Sequence, residues 1–305
     1  MSFKTWLENQ NYAVIDGSMA TALEKKGLNL NHKLWTAKAV VENPEKIIEV
    51  HKDYFNSGAN IAITSTYQAS FLGFKDLGYS EEDAEKFIRR TVKLAKTARD
   101  EVDVQQQMFI AAGVGPYGAY LADGSEYRGD YNVDSEFLRN FHEKRLEVLI
   151  DEGVDLLAIE TMPNFEEIKV ILDIVKKYPN TLCWVTCTLK DSNHISDGTS
   201  LLEVQKLLEE NNQVVAYGIN CIAPKLIEPT LENLKENRTK DLVVYPNGGA
   251  VYNPETKEWD NDDSVCEVFH NNSKKWLIQG AKLIGGCCCT TEKEIEFLVS
   301  GLEKI

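Results

Sequence analysis

The chain has 305 residues, 43% of them apolar, and carries 48 acidic side chains against 33 basic ones for a net charge of −15. That length allows a sizeable core, and the acidic balance argues against nucleic acid as a partner, because phosphate backbones reward basic patches. No apolar run reaches the roughly 18 residues of a membrane span, and the stretch from Met1 to Gln10 lacks the apolar core of a secretory signal, so the expected setting is the cytoplasm, away from any membrane.

Strand-like apolar runs alternate with helical patterns along the whole chain. Strands are expected over 12–16, 59–64, 109–113, 155–160, 183–188, 214–220, 242–245 and 282–286. Most are continuous apolar runs, as in parallel strands covered on both faces. Between them, 82–101 places Ala84, Phe87, Ile88, Val92 and Ala95 on one stripe at helical spacing. The segments 137–152, 165–177, 200–211, 224–236 and 291–303 read the same way. Pro163 and Pro224 fall just after strands, near the start of the next helix, where proline is tolerated. No repeat or linker divides the chain. Eight β/α units over this length predict an α/β fold, a (β/α)8 TIM barrel forming one domain over 1–305. A doubly wound open sheet is the alternative, and the lack of Gly-x-Gly-x-x-Gly after the first strand counts against it.

A barrel gathers its functional residues at the carboxyl ends of the strands. The unusual residues of this chain fall there. Asp16-Gly17 closes the first strand, Thr64-Ser65-Thr66-Tyr67-Gln68 the second, and Gly115-Pro116-Tyr117-Gly118 follows the third. Glu160-Thr161 ends the fourth, Asn220-Cys221 the sixth, Tyr245-Pro246-Asn247 the seventh, and Gly285-Gly286-Cys287-Cys288-Cys289 the eighth.

Adjacent cysteines make a poor disulfide, since neighbouring Cα atoms sit about 3.8 Å apart. Seven cysteines without framework spacing suggest reduced thiols. Two glycines before the run let the backbone turn so that thiolates converge on a soft metal, zinc first; a buried Gly-Cys turn with inert thiols is the other reading. Cys221 belongs to the same barrel face, one strand removed. Cys221, Cys287 and Cys288 would leave a tetrahedral zinc one open position, as catalytic sites require. Three consecutive residues do not easily point inward together, so Cys289 is expected to be a non-ligand. A thiolate-rich zinc is blunted for water activation and suits a substrate thiol, which is mostly protonated at neutral pH with a pKa about 8.5. The implied chemistry is alkyl transfer to a thiol.

These motifs resemble those of the homocysteine S-methyltransferases, most closely the single-domain branch that uses S-methylmethionine. The resemblance runs through Asp16-Gly17-Ser18-Met19-Ala20-Thr21, Leu34-Trp35, Thr64 to Ser70, Gly115-Pro116-Tyr117-Gly118-Ala119, and Leu121-Ala122-Asp123-Gly124-Ser125-Glu126-Tyr127. It continues through Asp155 to Thr161, Gly218-Ile219-Asn220-Cys221, Tyr245 to Gly249, and Gly285-Gly286-Cys287-Cys288. It implies a TIM barrel, a catalytic zinc on Cys221, Cys287 and Cys288, and methionine formed from L-homocysteine. A betaine-type homocysteine methyltransferase and a catalytically silent zinc barrel binding methionine-like ligands are the alternatives. Cys289 departs from the family pattern, and Gly248-Gly249 is a smaller variation.

Homocysteine needs its thiol on zinc, its ammonium on a carboxylate and its carboxylate on donors. Glu160 is placed for the ammonium, the role the resemblance implies. Asp16 could bind an amino group or orient the Gly17 loop, whose amides could receive a carboxylate. Thr66, Gln68 and Asn220 complete the expected substrate set, with Asn220 also able to support Cys221 by hydrogen bonding. A sulfonium donor needs alignment rather than a general base. Trp35, Tyr67 and Tyr117 could cradle the cation or simply pack. Relatives using betaine tend to have an aromatic where Gln68 stands, which favours a sulfonium donor, S-methylmethionine with S-adenosylmethionine as a weaker one. Tyr127, Arg128 and Asn247 lie in site loops without assigned roles. Cys183 and Cys187 read as core residues and Cys266 as a helix residue. No histidine has metal-binding spacing, and His32 alone lies near the expected site. The expected state is a monomer.

Overall fold

The computed structural model describes residues 2–30, 36–248, 251–253, 258–260 and 265–303, the side chains of 37, 251–253, 258–260, 265–268 and 270 excepted. An eight-stranded parallel sheet runs through β1 (Ala13–Val14), β2 (Ile61–Ile63), β3 (Phe109–Val114), β4 (Leu156–Met162), β5 (Cys183–Cys187), β6 (Val214–Asn220), β7 (Asp241–Tyr245) and β8 (Ala281–Ile284). From β2 to β8 each strand pairs with the next in this series, and β8 returns to pair with β1. A parallel bridge between Ile15 and Ile61 closes the ring, with Asn60 N donating to Val14 O at 2.8 Å and Asp16 N to Ile61 O at 2.9 Å. This is the (β/α)8 barrel the alternation of elements predicts.

Side-chain alternation sorts the strand residues into two layers. Ala13, Ile15, Phe109, Ala111, Leu156, Ala158, Trp184, Ala216, Val243 and Leu283 fill the barrel. Val14, Ala112, Leu157, Ile159, Val185, Ile219 and Val244 face the surrounding helices. Extending the inward series toward the carboxyl ends reaches Gly113, Glu160 and Tyr245 after two residues and Asn220 after four. The site is therefore the top layer of the barrel interior, where the apolar filling gives way to polar groups.

The helix Phe3–Glu8 closes the opposite end. Its Phe3, Trp6 and Leu7 join the interior cluster, and Trp6 and Phe3 meet Phe109 at ring separations of 4.8 and 5.1 Å. The helix expected over 224–236 is instead a 3-10 turn, Pro224–Leu226, followed by a helix over Ile227–Asn233. Pro229 explains the break: it has no N–H to donate and fits only the first turn, so the α-helix starts two residues before it. A short hairpin, Leu189–Asp191 with His194–Ile195, follows β5, and another, Val251–Asn253 with Glu258–Asp260, follows β7. Among the described residues, no helix is long and apolar enough to cross a membrane.

Candidate metal centre and substrate pocket

The sulfurs of Cys221, Cys287 and Cys288 lie within 4.8 Å of one another, with Cys221 Sγ 3.6 Å from Cys288 Sγ. The end of β7 holds the two cysteine segments together. Cys221 N donates to Tyr245 O at 3.1 Å, Cys287 N to Pro246 O at 2.8 Å, and Gly248 N to Cys288 O at 2.8 Å. Gly286 N donates to Asp16 O at 3.1 Å, which ties the same run to β1. Thr290 seats the turn from below, its hydroxyl donating to Cys287 O. A Cβ on Gly286 would strike that hydroxyl, so the turn requires glycine there.

Three clustered thiols cannot all ionise unaided. Cys221 is held well below the usual thiol range because Cys287 and Cys288 donate to it, with Tyr127 adding a third hydrogen bond. Cys287 and Cys288 are correspondingly pushed up, chiefly by their hydrogen bonds to Cys221. A soft dication would release their protons, and the donor set fits such an ion. Cys289 lies outside the cluster: its backbone is left-handed at φ +64°, its N–H donates to Thr21 Oγ1 at 3.2 Å, and burial pushes its thiol up to about 12.

Glu160 is buried in the top layer, where Tyr245 Oη donates to its Oε2 at 3.2 Å. Burial pushes its carboxyl up to about 8, with the Cys221 charge adding to the effect. A Cβ on Gly113 would lie 2.9 Å from Glu160 Oε1, so the glycine on β3 makes room for the carboxylate. Beyond Glu160 the register between β4 and β5 slips: Ile159 pairs with Val185 but Met162 with Cys187. The extra residue is a bulge at Thr161, whose φ is +60°, uncommon for a β-branched residue. Asn220 secures it, accepting from Thr161 N at 2.8 Å and donating to Thr161 Oγ1 at 2.8 Å. Cys221, next after Asn220, is itself left-handed at φ +52°. Such strained conformations persist where surrounding contacts over-determine them, as these do.

Asp16 is buried, and its Oδ2 accepts from Ile63 N at 2.9 Å. Burial pushes its carboxyl well up, and Glu160 contributes in the same direction. Gly17 sits under Tyr54 and Thr290, each with an atom 2.9 Å from where a Cβ would be. The following amide, Ser18 N, already donates to Thr290 O at 3.2 Å. Thr66 is fully buried and braces the barrel, with its hydroxyl donating to Gly113 O at 2.6 Å. Gln68 Nε2 donates to Ala119 O at 2.9 Å, while its Oε1 is buried without a partner among the described residues. Asn247 is buried, and its Oδ1 has no partner among the described residues.

Tyr117 packs in an aromatic cluster with Tyr120, Tyr131, Phe137 and Phe141 at ring separations of 5.1 to 5.6 Å. Its amide donates to Glu167 Oε1, which also meets His142 Nε2 at 2.6 Å in a fully buried pair. Cys183 and Cys187 lie in the outer core layer, as expected. Cys266 lies in the helix Val265–Ile278. His32, Leu34, Trp35 and Gly249 lie outside the described residues.

Three contributors carry no role in the sequence reading. Tyr127 Oη stands 3.1 Å from Cys221 Sγ. Tyr245 supports Glu160 and is itself held by Trp184 Nε1 at 3.2 Å and Thr186 Oγ1 at 2.8 Å. Thr290 joins the β1 and β8 loops. Tyr245 was discoverable from the inward alternation of β7; Tyr127 and Thr290 come from loops, where no periodicity points to them.

A family model described as homocysteine S-methyltransferase matches residues 13–301. The chain is 45% identical to the homocysteine S-methyltransferase YbgG of Bacillus subtilis, over 95% of this chain and 94% of that protein. It is 46% identical to an Escherichia coli homocysteine S-methyltransferase over 96% of each. The metallated form of the Escherichia coli homocysteine methyltransferase MmuM superposes with a TM-score of 0.88 at 44% identity, covering 97% of this chain and 98% of that one.

Proposed function

We propose that this chain, which belongs to the homocysteine S-methyltransferase family, uses zinc at Cys221, Cys287 and Cys288 to methylate L-homocysteine with S-methylmethionine. The observation that carries the reading is the cluster of three thiols with Cys289 turned out of it. A tetrahedral ion on three sulfurs keeps one position open. When bound, zinc supplies the charge that keeps the homocysteine sulfur as a thiolate at neutral pH.

The chain's own residues then have positional work. Glu160 pairs with the homocysteine ammonium, and Tyr245 and Gly113 fix where its carboxylate stands. Asp16 holds the β1–β2 junction through Ile63 N and faces Glu160 closely enough for the two charges to interact. Asn220 sets the Thr161 bulge and, through its neighbour Cys221, the metal-binding sulfur. Methyl transfer needs no proton: the acceptor sulfur supplies a lone pair, the donor S–CH3 bond breaks, and the donor sulfur keeps the bonding pair. With S-methylmethionine both products are methionine. Catalysis then rests on holding the two sulfurs in line. A polar Gln68 side chain, rather than an aromatic one, supports a sulfonium over betaine.

The test is a donor panel. Purified zinc-loaded protein, given homocysteine with S-methylmethionine, S-adenosylmethionine or betaine, should form methionine fastest with S-methylmethionine. Turnover with betaine alone would overturn the donor; no turnover with any of the three would overturn the function.

A further inference from the structure

Glu126 is an acidic group at the site edge that neither metal binding nor homocysteine binding uses. It lies in the 3-10 turn Ser125–Tyr127, and the next residue places its phenol 3.1 Å from Cys221 Sγ. The turn is built firmly. Asp123 Oδ1 accepts from Ser125 N at 2.9 Å, Arg128 Nη2 donates to Ser125 Oγ at 3.1 Å, and Thr188 Oγ1 donates to Glu126 O at 2.9 Å. The carboxylate accepts from its own backbone N–H and feels the Arg128 charge, yet one of its oxygens is left over. Its Oε2 is buried without a hydrogen-bond partner among the described residues. The nearby guanidinium of Arg128 is committed to Asp130, Asp123 O and Ser125 Oγ. Burial pushes the Glu126 carboxyl up to about 7, the Cys221 charge acts in the same direction, and the Glu126 charge in turn raises Tyr67.

A buried carboxylate oxygen without a donor is costly unless a ligand completes it, and a cation completes it best. Resting on the sulfonium-donor reading above, we propose that Glu126 is the substrate-binding residue that receives the positive charge of the methyl donor's sulfonium beside Cys221. The sulfonium charge fades as the methyl group leaves, so the attraction is strongest in the ground state and weaker in the transition state. Such a contact gathers donor without accelerating transfer. It also vanishes once the donor has become a neutral thioether, which favours release of product.

The experiment compares the zinc-loaded wild type with Glu126→Gln, which keeps the side-chain shape and removes the charge. The donor KM should rise on the order of tenfold, with kcat unchanged or higher, and with homocysteine KM and zinc content unchanged. Equilibrium binding of trimethylsulfonium, which has the cation but neither amino nor carboxyl group, should weaken by a similar factor, while methionine binding holds. An unchanged donor KM would overturn the proposal. So would a joint loss of donor, homocysteine and zinc binding, which marks a structural role, or weakened methionine binding with trimethylsulfonium unaffected, which places the ammonium at Glu126. Because the trimethylsulfonium arm needs no turnover, it tests Glu126 even if the wild type proves to use another donor.

Discussion

Asn220 and Thr161 are joined by two hydrogen bonds of 2.8 Å each, one to the Thr161 amide and one to its hydroxyl. Each residue neighbours a functional group: Thr161 follows Glu160, and Asn220 precedes Cys221. In the proposed function the pair therefore couples the ammonium-binding end of the site to its metal-binding end. Asn220→Ala should lose both functions together, and about 1–3 kcal/mol of stability from the buried groups left unpaired. Zinc affinity and homocysteine KM, measured on the same preparation, check this. A change in one with the other intact would show that the two ends are set independently.

Gly113→Ala separates them. The added Cβ would have as its three nearest atoms Glu160 Oε1 at 2.9 Å, Ile63 Cγ2 at 3.0 Å and Thr64 O at 3.1 Å, none of them a cysteine's. The expected outcome is a raised homocysteine KM with full zinc content by metal analysis. Unaltered homocysteine affinity would show that the carboxylate has room to retreat.

Glu160 gives the metal-free protein a pH signature. Its carboxyl is raised from 4.5 to about 8, mainly by burial, so between these values the folded chain holds a proton that the unfolded chain has released. The associated stability is complete below about 4.5 and drains away as pH rises to about 8, by at most about 1.4 kcal/mol per unit. Thermal melts from pH 5 to 8 should fall less steeply in Glu160→Gln than in the wild type; parallel curves would contradict the assignment. A bound ammonium favours the ionised carboxylate, so homocysteine affinity should climb over the same window.

The barrel is legible in the sequence because its strands are apolar on both faces, and all eight expected segments carry strands near their stated limits. Cys221, Cys287 and Cys288 are also legible, since Gly-Gly-Cys-Cys at one strand end and Asn-Cys at another leave few geometries. The bulge at Thr161 is not, because a left-handed threonine has no local signal and is imposed by Asn220 from another strand. Tyr127 is hidden for a similar reason: its partner lies 94 positions away, across the mouth of the barrel. The helix Phe3–Glu8 is short, and its worth lies in packing under Phe109 rather than in its own periodicity.

Cys289 offers a contrast with its neighbours. Its thiol is outside the cluster and its backbone amide is held by Thr21. Cys289→Ser should keep the zinc content and methionine formation of the wild type within about twofold, the range ordinary for a substitution that removes no ligand. Loss of zinc, read by metal analysis after dialysis, would make Cys289 a ligand.

The most direct test of the thiolate-zinc mechanism is the zinc content of purified wild type and Cys221→Ala, read alongside methionine formation from homocysteine and S-methylmethionine. The expected result is about one zinc per wild-type chain with turnover, and neither in the variant. Undiminished methionine formation by zinc-free Cys221→Ala would contradict it.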